Sequence, residues 1–305
     1  MRQTKINIIG DGSIGHLWAA HFFKRQIDFN LFGRTAKPMQ SYQLTSPNEN
    51  FFYKISVSSM QALRSSNLTI ICVKAHSLNT LCEQLKRSEL RPATIVLMMN
   101  GMGLIEIVKK ILPNASIYQA SITHGANLSG ARLKYTGTGT TLIGAFEHSS
   151  DQKHSLMRSL IPLLNQALPG TVWNDDQFTA LWTKLLINSI INPLTALYRV
   201  RNGAIVDDPN IRSHAMQLTQ ELAPLIDRYL PGQSWQSIFE QIISVCDLTS
   251  DNQSSMLKDI MANRATEIEF ITGYIMTKAE HLGCELIAHR ELNEQMRTTR
   301  DKFHQ

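Results

Sequence analysis

Lys5-Ile-Asn-Ile-Ile9 runs directly into Gly10-Asp11-Gly12-Ser13-Ile14-Gly15, and a helical pattern follows through about Gln26. A short β-like run, a G-x-G-x-x-G turn and a helix together open a dinucleotide-binding α/β domain. Each glycine has its own task in such a turn. Gly10 permits the tight bend, Gly12 lets backbone approach a pyrophosphate, and Gly15 lets helix and strand pack closely. The exposed N–H groups at the helix start then face the phosphates. The plainer alternative is a glycine-rich strand-to-helix turn in a domain that holds no cofactor.

Working outward, a second strand-like run, Asp28-Phe-Asn-Leu-Phe32, ends in Gly33-Arg34. Proteins that prefer NAD usually carry an acidic residue here, bonded to the ribose 2′-hydroxyl. This chain has Arg34 there and no acidic residue between it and Glu49. A guanidinium matches a 2′-phosphate in charge and geometry, so the expected cofactor is NADPH/NADP+. An ordinary exposed arginine after a strand is the competing reading. Leu68–Val73 leads into Lys74-Ala-His76, and Thr94–Met98 leads into Asn100-Gly-Met-Gly103. Polar residues thus recur at strand ends, where open α/β sheets place their ligands. From Ser116 to Gly144 short β-like segments alternate with small, polar turns, the pattern of late, partly antiparallel strands closing the sheet. Residues 153–167 read as helix and Thr171–Trp173 as a last strand. The expected boundary is about Asn174, dividing a Rossmann-type α/β domain (1–174) from an all-α domain (175–305).

The second domain opens with Leu181-Trp-Thr-Lys184-Leu-Leu-Ile-Asn188-Ser-Ile-Ile-Asn192-Pro193. A helix apolar on nearly every side is a buried one. Lys184, Asn188 and Asn192 interrupt it at i, i+4 and i+8, and at about 100° per residue they form one narrow stripe. An unpaired ammonium there is costly, so it needs a partner or a ligand. The alternative is a lysine whose stem is covered while its head reaches water. Pro193 is expected to kink or end the helix. Beyond Asn202-Gly203 the chain reads as helices at about 208–230, 235–247 and 254–282, the last ended by Gly283. Around the axis of that last helix Glu267 shares a strip with Met256, Ile260, Ile271 and Tyr274, while Glu269 points the other way. A carboxylate on an apolar strip is paired or held for chemistry. Ser255 at the helix start has the simple reading of an N-cap.

Composition narrows the functional classes. The 305 residues are 43% apolar and 18% charged, ordinary for a soluble two-domain protein. No apolar run approaches the roughly 20 residues of a membrane span, and the first apolar run is too short for a signal peptide. The net charge of +5 comes from scattered lysines and arginines, which argues against nucleic-acid binding. Four well-separated cysteines suit a reducing, cytoplasmic setting, and ten histidines without ligand spacing give no expected metal.

These pieces, in this order, resemble the ketopantoate reductases (2-dehydropantoate 2-reductases). The resemblance runs from Lys5 to about Gly283. It rests on Gly10–Gly15, Arg34, Val73-Lys74-Ala75, Asn100-Gly-Met-Gly103, Leu181-Trp-Thr-Lys-Leu-Leu-Ile-Asn188, Asn192-Pro-Leu-Thr-Ala196, Asn202-Gly203, Ser254-Ser-Met-Leu-Lys-Asp259 and Thr266-Glu-Ile-Glu269. It implies a Rossmann-type domain, a helical domain, an active site in the cleft between them, and NADPH-dependent reduction of ketopantoate to pantoate for coenzyme A synthesis. Carried over by position, Lys184 is the general acid and Glu267 the acidic residue beside it. Asn100, Asn188, Asn192, Asn202 and Ser255 match substrate-binding residues. Gly10, Asp11, Gly12, Ser13, Ile14, Gly15, Arg34, Lys74, Asn100, Ala126 and Glu267 match the cofactor set. The implied partner is a small keto acid, with no nucleic acid or membrane, and the implied state is monomer or homodimer. Relatives usually carry a proline near Ile287 or Ala288 and this chain has none, which leaves the path of its last helix open. Rival readings are a related NADP-dependent 2-keto acid reductase, a non-catalytic NADP-sensing module and a helical interaction scaffold.

Overall fold

The computed structural model describes residues 4–87, 92–146 and 151–301. The run before the glycines is the central strand of an eleven-stranded sheet. In chain order the strands are β1 (Ile6–Ile9), β2 (Phe29–Gly33), β3 (Lys37–Thr45), β4 (Asn50–Ser59), β5 (Leu68–Ile71), β6 (Thr94–Leu97), β7 (Ser116–Ile122), β8 (Gly125–Ser129), β9 (Arg132–Gly137), β10 (Thr141–Gly144) and β11 (Thr171–Trp173). They lie side by side as β11-β10-β7-β6-β5-β1-β2-β4-β3-β9-β8. β1 pairs in parallel with β2 on one side and β5 on the other, so the strand order reverses there. β1, β5 and β6 are buried at every position, and they read as largely apolar runs for that reason, each carrying one buried polar residue: Asn7, Thr69 and Thr94. The sheet's helices are α1 (Ser13–Lys24), α2 (Leu78–Arg87), α3 (Leu104–Ile111) and α4 (Asp151–Ala167).

Two parts of the sheet depart from the sequence reading. Nothing between Arg34 and Leu68 was expected to be strand, yet β3 and β4 form a long antiparallel pair there. The signal was present: Tyr42 and Leu44 alternate with more exposed neighbours, as do Tyr53, Ile55 and Val57. The later strands also do not all close the sheet beside β7. β10 does so, antiparallel to β7, but the β8–β9 hairpin joins the opposite end, where β9 runs parallel to β3. Burial explains this choice, because Leu133 and Tyr135 of β9 share a core with Tyr42, Tyr53 and the inner face of α1.

That core contains buried imidazoles. His16 Nδ1 lies 3.0 Å from the Tyr53 hydroxyl, and its ring sits 4.5 Å from that of Tyr42. His124 Nδ1 accepts the Gly139 N–H at 3.1 Å and also lies 2.8 Å from the Tyr135 hydroxyl. Burial is the main cause that lowers His16 to about 4 and His124 to about 4, and it depresses His21 as well.

The chain divides into two compact units, Met1–Met99 with Leu104–Phe178, and Asn100–Gly103 with Thr179–Gln305. From Gln177 onward the helices are α5 (Gln177–Tyr198), α6 (Ala204–Asp207), α7 (Pro209–Glu221), α8 (Ala223–Tyr229), α9 (Trp235–Leu248), α10 (Ser255–Met261), α11 (Tyr274–His281) and α12 (Ile287–Asp301). A π-helical turn, Glu269–Gly273, precedes α11. Trp182 of α5 stacks on Tyr229 of α8 with ring centroids 4.0 Å apart, and lies 6.0 Å from Tyr274 of α11.

Three helix expectations need correction. Pro193 does not end α5, which continues to Tyr198. The helix expected over 208–230 is two, parted at Leu222, because Pro224 in the first turn of α8 cannot supply an interior N–H. The helix expected over 254–282 is also broken. Asn263 adopts a left-handed φ of 51°, and the Arg264 N–H turns back to the Asp259 carbonyl at 2.8 Å. The guanidinium of Arg264 then pairs with the Asp259 carboxylate at 3.0 Å. Met261–Ala265 are all exposed, so a continuous helix would bury nothing there.

The path of the last helix is set by the cap at its start. Proline suits a first helical turn because it has no N–H to satisfy. Here the N–H groups of Ala288 and His289 are both accepted by the Glu221 carboxylate, at 2.8 and 3.0 Å, and His289 Nδ1 meets the same group at 2.8 Å. A side chain of α7 therefore caps α12.

Because the histidines in the sheet core stay neutral in the folded state, the unfolded chain takes up their protons first as pH falls from 6.5. Stability from this source is complete above pH 6.5 and is lost toward pH 4. Urea unfolding across pH 7 to 4.5 is expected to show stability falling with a slope of about two to three protons. A flat profile would contradict the buried neutral imidazoles.

Candidate active site

The glycine turn begins where β1 ends. The Gly10 N–H donates to the Phe32 carbonyl at 2.8 Å, and Gly10 has a φ of 119°. A Cβ at Gly10 would lie 2.7 Å from the Cys72 backbone, and one at Gly15 only 1.8 Å from the Gly10 carbonyl oxygen. Gly12 is different: a Cβ there meets nothing within 4 Å. Gly12 is also the N-cap of α1 and gives no side-chain cap, so the first N–H groups of α1 lack an internal partner and border open space. This arrangement fits a diphosphate, which takes its hydrogen bonds from such groups.

Other expected cofactor residues lie around the same turn. The Ser13 hydroxyl accepts the Leu128 N–H at 3.0 Å, tying β8 to the start of α1. Ala126 lies two residues earlier on that strand, on the same face as Leu128. Ile14 is half-buried against the core below. Arg34 is exposed immediately after β2, and Lys74 is half-buried just after β5. Asp11 carries a partner that the sequence reading did not name. Lys37 Nζ lies 2.6 Å from Asp11 Oδ2, and this contact is the main cause that raises the Lys37 ammonium above its ordinary value.

The helical unit gathers the rest. Lys184 and Asn188 are half-buried on α5, and Asn192 is buried. Burial lowers Lys184 from 10.5 to about 8, and the negative charge of Glu267 opposes that shift. Glu267 is 6% exposed, and its Oε2 accepts from Asn100 Nδ2 at 3.4 Å. Glu269 is exposed and pairs with Arg297 at 2.8 Å. The contrast expected between the two glutamates therefore holds, although the continuous helix used to infer it does not exist.

Asn100 is held by a clasp. The Met102 N–H donates to the Phe270 carbonyl in the π turn at 2.9 Å. Gly101 sits against the same residue with a φ of 90°, and a Cβ there would lie 2.6 Å from both Phe270 Cβ and its carbonyl oxygen. π-helical turns are frequent at functional sites, and this one presents Phe270 to the Asn100–Gly103 segment.

The remaining expected substrate residues, Asn202 and Ser255, follow α5 and open α10, respectively. The Thr195 hydroxyl donates within reach of both the Ile191 carbonyl and Ser254 Oγ, each at 2.7 Å, linking α5 to the start of α10. Ser254, not Ser255, is the N-cap, accepting the Leu257 N–H at 3.1 Å, and Ser255 is left exposed in the first turn. Asn202 has a fixed amide orientation. The Thr249 hydroxyl donates to the Val245 carbonyl at 2.6 Å, so it must accept from Asn202 Nδ2, at 2.9 Å. Asn202 Oδ1 then faces away, buried and with no hydrogen-bond partner. Among the described residues no group of histidine, cysteine or carboxylate side chains could hold a metal, and no helix is long and apolar enough to cross a membrane.

A glycine-turn sheet joined in one chain to a helical unit with a half-buried lysine and a buried carboxylate is the build of a Rossmann-type oxidoreductase. Residues 6–148 match the family described as Ketopantoate reductase PanE/ApbA, and residues 176–299 match Ketopantoate reductase PanE/ApbA C terminal. The 2-dehydropantoate 2-reductase of Salmonella typhi is 30% identical, over 98% of this chain and 96% of that protein. The solved structure of a probable 2-dehydropantoate 2-reductase from Bacillus subtilis superposes with a TM-score of 0.78 at 27% identity, covering 97% of this chain and 99% of that one. A D-mandelate dehydrogenase solved with NADH and anilino(oxo)acetate shares the fold, with a TM-score of 0.87 at 19% identity over 98% and 99% of the two chains. The chain belongs to the ketopantoate reductase family.

Gly101→Ala is expected to cost about 2–4 kcal/mol, from a strained positive φ and overlap with Phe270. Urea unfolding measures it directly, and an unchanged midpoint would show that the clasp is not closed as described.

Proposed function

We propose that the chain is an NADPH-dependent 2-dehydropantoate 2-reductase, acting in the cytoplasm and making pantoate for pantothenate and coenzyme A synthesis. The observation that carries this reading is Lys184, whose burial brings its ammonium to about 8 beside the Glu267 carboxylate. When bound, NADPH would supply the hydride that the keto carbon takes up. Lys184 then has two tasks, stabilising the charge that develops on the carbonyl oxygen and giving it a proton, so that a C–H and an O–H bond form as the carbonyl π bond is lost. A positioned general acid of this kind contributes about 10²–10⁴-fold. Glu267 keeps the ammonium charged, and Asn100 shares the carboxylate. In the sheet unit the Gly12 opening and the first N–H groups of α1 hold the diphosphate, and Arg34 reads the 2′-phosphate.

Asn202 speaks for the substrate's chemistry. Its Nδ2 gives one N–H to Thr249 and keeps a second, while its Oδ1 is enclosed without a protein partner. The Oδ1 acceptor is matched by a ligand hydroxyl and cannot be matched by a carboxylate. A buried oxygen left unmatched costs about 1–3 kcal/mol. In a panel of branched 2-keto acids followed by NADPH absorbance, analogues without the hydroxyl are therefore expected to lose about ten- to a hundredfold in kcat/KM. Equal turnover of both kinds would favour a broader 2-keto acid reductase.

Lys184→Ala is expected to lower kcat by about 10²–10⁴-fold while NADPH still binds. The reaction needs the protonated amine, so kcat/KM for reduction should be level below about pH 8 and fall about tenfold per unit above it. Normal turnover in the variant, or a rate that rises through that range, would remove Lys184 from its role. Arg34→Asp is expected to weaken NADPH and improve the relative use of NADH, and an unchanged preference would assign the 2′-phosphate to another group.

A further inference from the structure

We propose that Lys37 sets the preference for a 2′-phosphorylated cofactor by neutralising Asp11, a carboxylate that the glycine turn places against Gly33, the residue before Arg34. The proposal rests on the NADPH reading above and concerns a residue outside its site set. Asp11 sits between Gly10 and Gly12, and its side chain turns toward the end of β2. A Cβ built on Gly33 would lie 2.8 Å from Asp11 Cγ and 3.0 Å from its Oδ1, so the carboxylate lies flush against the residue that precedes Arg34. In proteins of this fold a carboxylate near the end of the second strand accepts from the ribose hydroxyls and repels a 2′-phosphate. Left charged, Asp11 would therefore oppose Arg34 and favour the unphosphorylated dinucleotide.

Lys37 removes that opposition. Its Nζ lies 2.6 Å from Asp11 Oδ2, and the pair is partly covered, with side-chain exposures of 41% and 25%. Local backbone geometry holds the lysine in place. Lys37 is the first residue of β3 and pairs with Val57, and the register to β4 then slips between Lys37 and Gln40. Such an irregularity re-aims a side chain, a frequent device next to functional sites. The charges of Arg34, Lys37 and Asp11 sum to +1 where the 2′-phosphate is read. Without Lys37 they sum to zero, and with both members of the pair made neutral they return to +1.

This charge balance makes the test internally controlled. Dissociation constants for NADPH and NADH are measured by quenching of protein fluorescence on the full chain, for wild type, Lys37→Gln and the double variant Asp11→Asn/Lys37→Gln. Lys37→Gln is expected to weaken NADPH about tenfold, the size of one unit charge at partly screened range, with NADH changed far less. The double variant is expected to regain most of the lost NADPH affinity, which also shows that the loss in the single variant is not misfolding. A wild type without NADPH preference would overturn the cofactor reading itself. A wild type with that preference, retained in Lys37→Gln, would overturn the role of Lys37 alone. Loss in the single variant without recovery in the double would overturn neutralisation as its cause.

Discussion

The interaction on which the helical unit depends is electrostatic: the negative charge of Glu267 opposes the loss of charge that burial imposes on Lys184. Lowering a lysine from 10.5 to about 8 means that its charged form is disfavoured by about 3 kcal/mol even with that partner present. Much of the surrounding structure holds the carboxylate in place. Glu267 lies two residues before the π turn, the Phe270 carbonyl of that turn accepts the Met102 N–H, and that bond keeps Asn100 within reach of Glu267 Oε2. A cation kept near its titration point is suited to proton transfer, because it is charged at neutral pH and gives up its proton readily.

The sheet unit solves a related problem with backbone rather than side chains. Gly10 and Gly15 are close to neighbouring backbone, and Gly12 alone opens outward, so the uncapped start of α1 is left for a ligand. The one acidic side chain in that turn is held by Lys37, so the turn presents N–H groups without a bare carboxylate among them. In both units a buried or half-buried charge is answered by one opposite charge drawn from a distant part of the chain. Removing one member of such a pair leaves the other exposed to its full desolvation cost.

Features set by neighbours in sequence were readable from the residues. The glycine turn, the apolar central strands and the polar stripe on α5 each depend on spacing within a dozen residues. Features set by distant pairing were not. The hairpin β8–β9 could have lain beside β7, and only its burial against α1 and Tyr42 sends it to the other end of the sheet. The break after Met261 contains neither glycine nor proline and depends on Arg264 returning to Asp259. Glu267 was placed inward and Glu269 outward by helical spacing, and the structure has them so, but with a break just before Glu267. Lys37 escaped notice because a lone lysine opening a strand has no local signature; its meaning comes from Asp11, 26 positions earlier.

If one carboxylate sustains the charge of the lysine, the lysine's own titration must report it. The direct measurement is an NMR titration of the Lys184 ε-carbon, by selective isotopic labelling, in the wild-type chain and in Glu267→Gln. The account predicts a midpoint near 8 in the wild type and a lower one in the variant, since the lost negative charge had been raising it. A wild-type midpoint near the ordinary lysine value of about 10.4, or one that stays put or rises when Glu267 is neutralised, would contradict it.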